Sequence, residues 1–153
     1  MPTTENSKNQ TIQLNYSDTG HVTVTPDDED RFVLTAQNAV KACQQHFRAT
    51  EAIKRFKSDF IGPLRQWCTA NAARVAACYV PAPTDHLQVF VIGATPAYDF
   101  ALGQEVSALE RELYHAGWKL SVLQIPQSSD EELSTYFDLD GALQVHAQFQ
   151  PAS

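Results

Sequence analysis

Residues 87–125 read LQVFVIGATPAYDFALGQEVSALERELYHAGWKLSVLQI, and the hydrophobic pattern changes twice within this segment. Leu87–Ile92 is an almost unbroken apolar run rich in β-branched residues, which is typical of a strand covered on both faces. Trp118–Ile125 has a strand pattern again and stops at Pro126. Between the two runs, four apolar residues recur at the spacing of an amphipathic helix: Leu102, Val106, Leu109 and Leu113. The segment therefore predicts a strand–helix–strand unit with parallel strands and a right-handed crossover.

Local signals mark the ends of this helix, and the preceding residues supply another strand. Asp99 is placed either to cap the helix N-terminus or to lie in its first turn, and Gly117 is placed to end the helix as its C′ residue. Val75–Val80 is a second continuous apolar run, joined to Leu87 by the short loop Pro81–Asp85. We therefore expect a β-hairpin–α–β unit whose two hairpin strands lie in the centre of the sheet.

The N-terminal half predicts a hairpin followed by helices. Residues 11–16 and 21–25 alternate apolar and polar side chains, which indicates two half-buried strands. No Gly or Pro occurs in Arg31–Ile61, so this segment is predicted to be helical, with a break or a stutter near Ala49-Thr50 where the apolar stripe shifts phase. Gly62-Pro63 predicts the start of a new helix.

The C-terminal part predicts a short helix and a last strand. Ser129 and Glu132 form a capping box at the start of the helix, and Asp138–Gly141 is predicted to be a turn. Residues 143–149 alternate in polarity, so we expect a strand there, at an edge of the sheet.

Together these elements predict one α+β domain over residues 11–150, with a mixed β-sheet and helices mainly on one face. Residues 1–10 are predicted to be a disordered N-terminus and residues 151–153 a short tail. The chain has 153 residues, 43% of them hydrophobic, which is enough to build a core. No run approaches the roughly 18 apolar residues of a membrane-spanning helix, so we expect no membrane partner.

Cysteine usage and the start of the chain bear on the compartment. Cys43, Cys68 and Cys78 lie among apolar neighbours, which predicts buried reduced thiols rather than a disulfide framework. The polar first residues carry no secretory signal pattern. We therefore expect a cytoplasmic protein.

Charge is distributed unevenly along the chain. The net charge is −7, yet Lys41–Arg74 holds seven basic residues against two acidic ones, so this segment carries +5 and the remainder −12. A basic segment on an acidic body predicts a docking surface for an acidic partner. Because the acidic remainder would repel a nucleic acid, we favour a protein. The predicted partner-binding residues are Lys41, Arg48, Lys54, Arg55, Lys57 and Arg65.

The charged surfaces have two alternative interpretations. The basic helices could contact a nucleic acid phosphate backbone, or the acidic loops could mimic a nucleic acid. The charges of such a mimic would be Asp27–Asp30, Asp130–Glu132, Asp138 and Asp140.

Motifs for catalysis or cofactor binding are absent. The sequence contains no Gly-x-x-x-x-Gly-Lys loop, no Gly-x-Gly-x-x-Gly fingerprint and no Gly-x-Ser-x-Gly elbow. Cys43 and His46 would supply only half of a zinc site, and Asp138–Gly141 is only a fragment of a calcium loop. We therefore expect no cofactor and no bound metal. The predicted function is a non-catalytic protein-interaction or regulatory module: a small adaptor, an inhibitor, or an accessory subunit of a larger assembly.

A small enzyme is the alternative. The order of elements over residues 75–125 is similar to the core of small nucleotidyltransferases, which carry Gly-Ser after the first strand and an Asp-x-Asp pair leading into the second. Here Val80–Pro83 lacks Gly-Ser, and Asp85-His86-Leu87 has one carboxylate where two are needed to hold the metals. The resemblance implies a degenerate relative, with Asp85 and His86 as the candidate polar site.

Overall fold

The computed structural model describes residues 11–16, 22–42, 48–83 and 86–147. These ranges contain six strands and five α-helices. The strands are β1 (Ile12–Tyr16), β2 (Val22–Val24), β3 (Val75–Val80), β4 (Leu87–Gly93), β5 (Leu120–Ile125) and β6 (Leu143–Ala147). The α-helices are α1 (Glu29–Ala42), α2 (Ala49–Arg55), α3 (Gly62–Ala70), α4 (Phe100–His115) and α5 (Asp130–Leu133). A π-helical segment (Phe56–Ile61) joins α2 to α3, and short 3-10 turns occur at Pro26–Asp28 and Leu139–Gly141.

The strands form one mixed sheet in the order β2-β1-β6-β3-β4-β5. Antiparallel pairs join β1 to β2, β3 to β4 and β3 to β6. Parallel pairs join β4 to β5 and β1 to β6. The N-terminal hairpin, the central β3–β4 hairpin and the parallel β4–α4–β5 unit are therefore confirmed, and the chain is a single α+β domain.

The prediction that the last strand lies at an edge is wrong, because β6 pairs with β1 on one side and β3 on the other. Its side chains do alternate, from buried Leu143 to half-buried Gln144 and buried Val145. Alternating polarity along a strand indicates that one face of the sheet is buried. It does not indicate whether the strand has one or two hydrogen-bonded neighbours. The N-terminal hairpin adds to the free side of β6 and makes it an interior strand.

Helices α1–α4 cover one face of the sheet and contribute to its larger core. The opposite face has a smaller core around Tyr79, Phe90 and Ile125, covered by Leu133 of α5 and by Phe137 just after it. The rings of Phe90 and Phe137 stack with centroids 4.6 Å apart. Helices are thus mainly on one face, as predicted, and both faces of β3 and β4 are buried.

Both predicted caps of α4 are confirmed. Asp99 Oδ1 accepts a hydrogen bond from the backbone N–H of Leu102 at 3.0 Å. Gly117 has φ 106°, a left-handed conformation that glycine adopts without a Cβ clash. The N–H of Trp118 donates to the Leu113 carbonyl at 3.0 Å, and the N–H of Gly117 donates to the Tyr114 carbonyl at 3.0 Å. This pair of bonds is a Schellman motif, and it turns the chain from α4 into β5.

The helical layer contains a column of buried side chains spaced four residues apart. An α-helix has 3.6 residues per turn, so each step of four overshoots a full turn by about 40°. The π-helical segment, where the Gly62 N–H donates to the Lys57 carbonyl, is a wider turn that reduces this drift. Pro63 has no N–H to donate to Asp59, which favours the wider turn at this point. The column consists of Ala52, Phe56, Phe60, Leu64 and Cys68.

The predicted helix boundaries hold, with one addition. Arg48 is extended (φ −63°, ψ 158°), which confirms the break before α2. The new helix does begin at Gly62, but Ile61 and Gly62 keep helical dihedrals, so the chain passes from α2 to α3 without leaving a helical path.

An aromatic cluster joins this column to the α4–β5 turn. Phe56 and Phe60 stack at 5.4 Å between ring centroids. Trp118 lies 5.1 Å from Phe60 and 6.2 Å from Phe56, and Phe32 of α1 lies 5.8 Å from Phe56. The cluster therefore connects α1, the π-helical segment and the start of β5.

Several sequence predictions concern residues outside the described ranges. These are the disordered N-terminus 1–10, the thiol and imidazole of Cys43 and His46, the carboxylate of Asp85, and the end of the chain from residue 148. Among the helices that are described, none is long and apolar enough to cross a membrane.

Two glycine substitutions should change stability in opposite directions. Gly117→Ala should lower the free energy of unfolding by about 1–2 kcal/mol, because alanine is strained at φ 106°. Gly62→Ala should raise it by up to about 1 kcal/mol, because the position is helical and an added Cβ would meet only the Lys57 carbonyl, at 3.5 Å. Urea unfolding followed by circular dichroism measures both. A Gly117→Ala variant as stable as the wild type would contradict the left-handed cap.

Candidate functional site

The structure brings together three of the predicted partner-binding residues. Lys54, Arg55 and Lys57 line one groove of about 590 Å³ on α2 and the π-helical segment. We call it the basic groove. Its other lining residues are Val22, Glu51, Ser58 and Asp59.

The charges of the basic groove are only partly neutralised. Arg55 Nη1 lies 2.9 Å from Asp59 Oδ2, so this cation already has an acidic partner. Lys57 Nζ lies 5.4 Å from the centre of the Phe32 ring, in cation–π distance. Neither Lys54, which is exposed, nor Lys57 forms an ion pair within the described part of the chain. These two ammonium groups are the ones that a ligand in the groove would meet.

The remaining predicted residues lie elsewhere. Lys41, near the end of α1, and Arg48, just before α2, are exposed, and neither lines the groove. Arg65 of α3 lies over the ring of Tyr16, with Cζ 4.0 Å from the ring centroid. The groove therefore contains three of the six predicted partner-binding residues.

A second concave site opens where β1 and β6 separate. Their parallel pairing covers only Ile12 with Leu143 and Gln13 with Gln144. Beyond these pairs β1 continues beside β2, and β6 continues beside β3. The space between the two strands is a cavity of about 260 Å³ that we call the β1–β6 cleft. Its lining residues are Gln13, Leu14, Tyr16, Arg65, Thr69, Gln144, Val145, His146 and Ala147.

An irregularity in β6 explains the separation and the position of His146. Tyr79 pairs with Gln144 while the adjacent Cys78 pairs with His146, so Val145 is the extra residue of a β-bulge. A bulge bends its strand and re-aims the side chains beside it. His146 lines the cleft together with Arg65, and its Nε2 is buried with no hydrogen-bond partner among the described residues.

Burial lowers the pKa of His146 below its ordinary value, and the charge of Arg65 lowers it further. An interaction with the Val75 backbone opposes these effects, as a carbonyl acceptor does. Burial likewise raises the pKa of Tyr16 well above its ordinary value, although Arg65 lowers it. The cleft thus holds one permanent cation beside a neutral phenol and an imidazole that resists protonation.

Some of the predicted mimic charges also come together. Asp27, Asp28 and Asp130 line a cavity of about 540 Å³ with the Tyr79 side chain. Asp28 Oδ1 is paired with Arg31 at 3.0 Å, which neutralises part of this charge.

The candidate polar site at Asp85 and His86 is only partly described, because Asp85 lies outside the described residues. His86 Nε2 lies 3.3 Å from the hydroxyl oxygen of Ser121 on β5. Within the described ranges, no group of three or more His, Cys, Asp or Glu residues could hold a metal ion.

Two aromatic residues form an exposed pair after β4. Tyr98 and Phe100 are 46% and 79% exposed, and their rings meet edge to face at 4.9 Å. A Cβ on Gly103 would lie 2.7 Å from the Tyr98 hydroxyl, so this glycine is what lets Tyr98 lie against α4. Both amide atoms of the neighbouring Gln124 are buried without a partner in the described chain.

Comparison of the chain with protein-family models, curated proteins and solved structures gave no match in any of the three. The candidate sites therefore stand on their own geometry. Sequence reasoning had missed the β1–β6 cleft altogether. Its signal, a histidine at the next-to-last position of a strand that alternates apolar and polar residues, is too weak to be recognised without the bulge at Val145.

The depressed pKa of His146 predicts a pH dependence of stability. The unfolded chain binds a proton at a pH near the ordinary value of 6.5, whereas the folded chain binds it only at a lower pH. The free energy of unfolding should therefore fall as the pH drops through about 6.5, and this loss should level off below the folded-state pKa. Urea unfolding at several pH values should show that the free energy of unfolding falls less with decreasing pH in His146→Gln than in the wild type. His115→Gln, at an exposed position on α4, is the control and should keep the wild-type dependence; equal dependence in all three proteins would contradict the burial of His146.

Replacing the unpartnered amide of Gln124 should stabilise the fold. Gln124→Met keeps the length of the side chain and removes two buried polar atoms, so we expect the free energy of unfolding to rise by about 1 kcal/mol. Gln127→Met, at an exposed position just after β5, should change the free energy of unfolding by less than about 0.5 kcal/mol. A destabilised Gln124→Met variant would show that the amide has a partner in solution.

Proposed function

We propose that this protein is a non-catalytic protein-interaction or regulatory module of the cytoplasm and that its basic groove binds an acidic segment of a partner protein. The observation that carries the proposal is the position of Lys54 and Lys57, two ammonium groups that line one groove and form no ion pair with any described residue. The cytoplasmic part of the proposal rests on Cys68 and Cys78, which are buried free thiols.

The composition of the groove favours a protein segment over a nucleic acid. Glu51 and Asp59 line the groove beside the basic residues, and the whole chain has a net charge of −7. A phosphate backbone presents charge continuously and would meet these carboxylates. A short peptide can place single carboxylates on Lys54 and Lys57 and avoid the acidic positions.

The dimensions of the groove suit a few side chains. Its volume of about 590 Å³ lies in the range of ligand pockets, and Val22 gives it one apolar wall. The expected ligand is therefore a segment with acidic residues around one apolar residue. Salt screens the attraction between exposed charges, with a Debye length of about 8 Å at physiological ionic strength. Binding of the acidic segment should therefore weaken as the salt concentration is raised.

Charge reversal in the groove tests this function. The probe is a fluorescent synthetic peptide of glutamate residues around one leucine, and anisotropy reports binding at low and at physiological salt. The double variant Lys54→Glu/Lys57→Glu should bind it about tenfold more weakly or worse, because two attractions become repulsions. Arg55 is left in place because it pairs with Asp59.

The matched control is Arg111→Glu/Lys119→Glu, which changes the net charge equally at exposed positions on α4 and just before β5, outside the groove. It should keep most of the affinity. Equal weakening by both double variants would show a general charge effect and would contradict a site in the groove. Tighter binding of a single-stranded oligonucleotide than of the peptide would favour the nucleic-acid reading instead.

A further inference from the structure

The β1–β6 cleft contains a cation without an ion-pair partner and a buried nitrogen without a hydrogen-bond partner among the described residues. Arg65 forms no ion pair with any described residue, although it is half-buried and fixed over the Tyr16 ring. His146 Nε2 is buried and has no hydrogen-bond partner in the described ranges. Buried donors and acceptors in proteins almost always have partners, and an unpaired one is costly. Both groups line the same cavity, so one ligand could satisfy both.

The chemistry of the two groups restricts the ligand. A guanidinium offers only donors, arranged as a planar fork that fits two oxygens of a carboxylate or phosphate. The Thr69 hydroxyl is already used, since it donates to the Arg65 carbonyl at 3.0 Å. The Tyr16 hydroxyl faces the Val145 carbonyl at 3.5 Å. A volume of about 260 Å³ admits a small ligand or a single functional group.

We propose that the β1–β6 cleft binds the oxyanion group of a small ligand, phosphate or carboxylate, through the Arg65 guanidinium and the His146 imidazole. Arg65 supplies the charge and sets the orientation. His146 supplies a second contact, in which Nε2 accepts a hydrogen bond when the imidazole is neutral and donates one when it is protonated. None of the residues that line the cleft also lines the basic groove, so each proposal can be tested independently of the other.

The state of His146 distinguishes the two oxyanions. We assign the ring proton to the nitrogen that interacts with the Val75 backbone, which leaves Nε2 of the neutral ring as an acceptor. Hydrogen phosphate can accept from Arg65 and donate its O–H to Nε2, whereas a carboxylate needs a protonated His146. The titratable and charged groups around the ring are Arg65 on α3, Tyr16 on β1 and Cys78 on β3. At neutral pH we therefore expect phosphate to bind more tightly than acetate.

The test is a titration of the ¹⁵N-labelled full chain with inorganic phosphate, followed by NMR, with chloride at matched ionic strength as the reference. The expected result is a saturable shift of the His146 resonances that chloride does not produce. A second titration with acetate should saturate at a higher concentration, and its affinity should improve as the pH is lowered. No saturable phosphate shift at His146 would overturn the proposal.

Variants show whether Arg65 is the charged partner. Arg65→Met keeps the aliphatic stem over Tyr16 and should weaken phosphate binding about tenfold or more. Arg111→Met, at an exposed position of α4, is the control and should bind like the wild type. If Arg65→Met does not fold, Arg65→Lys keeps the charge without the planar fork and should still weaken binding several-fold. Wild-type affinity in the folded Arg65 variant would overturn the assignment.

Discussion

Pro63 cannot donate a hydrogen bond to the Asp59 carbonyl, and the rest of the helical layer depends on how the chain accommodates this. The π-helical segment before Pro63 keeps Phe56, Phe60 and Leu64 on the buried side of one continuous helical path. Trp118 packs on that column at the α4–β5 turn, so the position of the β4–α4–β5 unit depends on it as well. Lys57 follows Phe56 and Arg65 follows Leu64. The directions of these two cations are therefore fixed by their buried neighbours.

The sheet is interrupted where the N-terminal hairpin joins it. Among the described residues, two pairs connect β1 to β6, so much of the attachment of the hairpin must come from the helical face. Ile12 and Leu14 are buried in the larger core, and Arg65 covers the Tyr16 ring. A parallel pair this short contributes few hydrogen bonds, whereas burying two aliphatic side chains contributes about 1.5–3 kcal/mol each. Packing of this kind allows the strands to separate without releasing the hairpin.

The parts of the fold that could be predicted from sequence are those fixed by local physics. The apolar run at Leu87–Ile92, the Asp99 cap and the Gly117 stop each act within a few residues, and all three are confirmed. The interior position of β6 could not be predicted, because it depends on which strand edge the distant hairpin joins. The charge count over Lys41–Arg74 gives the sign of the segment but not the arrangement of its cations, which depends on packing. Lys54, Arg55 and Lys57 line one groove, whereas Arg65 packs over Tyr16 of β1.

Burial makes the two candidate sites physically different. An exposed ammonium such as that of Lys54 contributes roughly 0–1 kcal/mol per ion pair, which suits weak and salt-sensitive contacts. A half-buried guanidinium that is held in place makes charge-assisted hydrogen bonds worth about 1.5–3 kcal/mol, which suits recognition of one chemical group. The sites are nevertheless neighbours, because Tyr16 of the cleft is paired across the hairpin with Val22 of the groove. The two sites therefore share the N-terminal hairpin, with the ring of Tyr16 in the cleft and the apolar wall at Val22 in the groove.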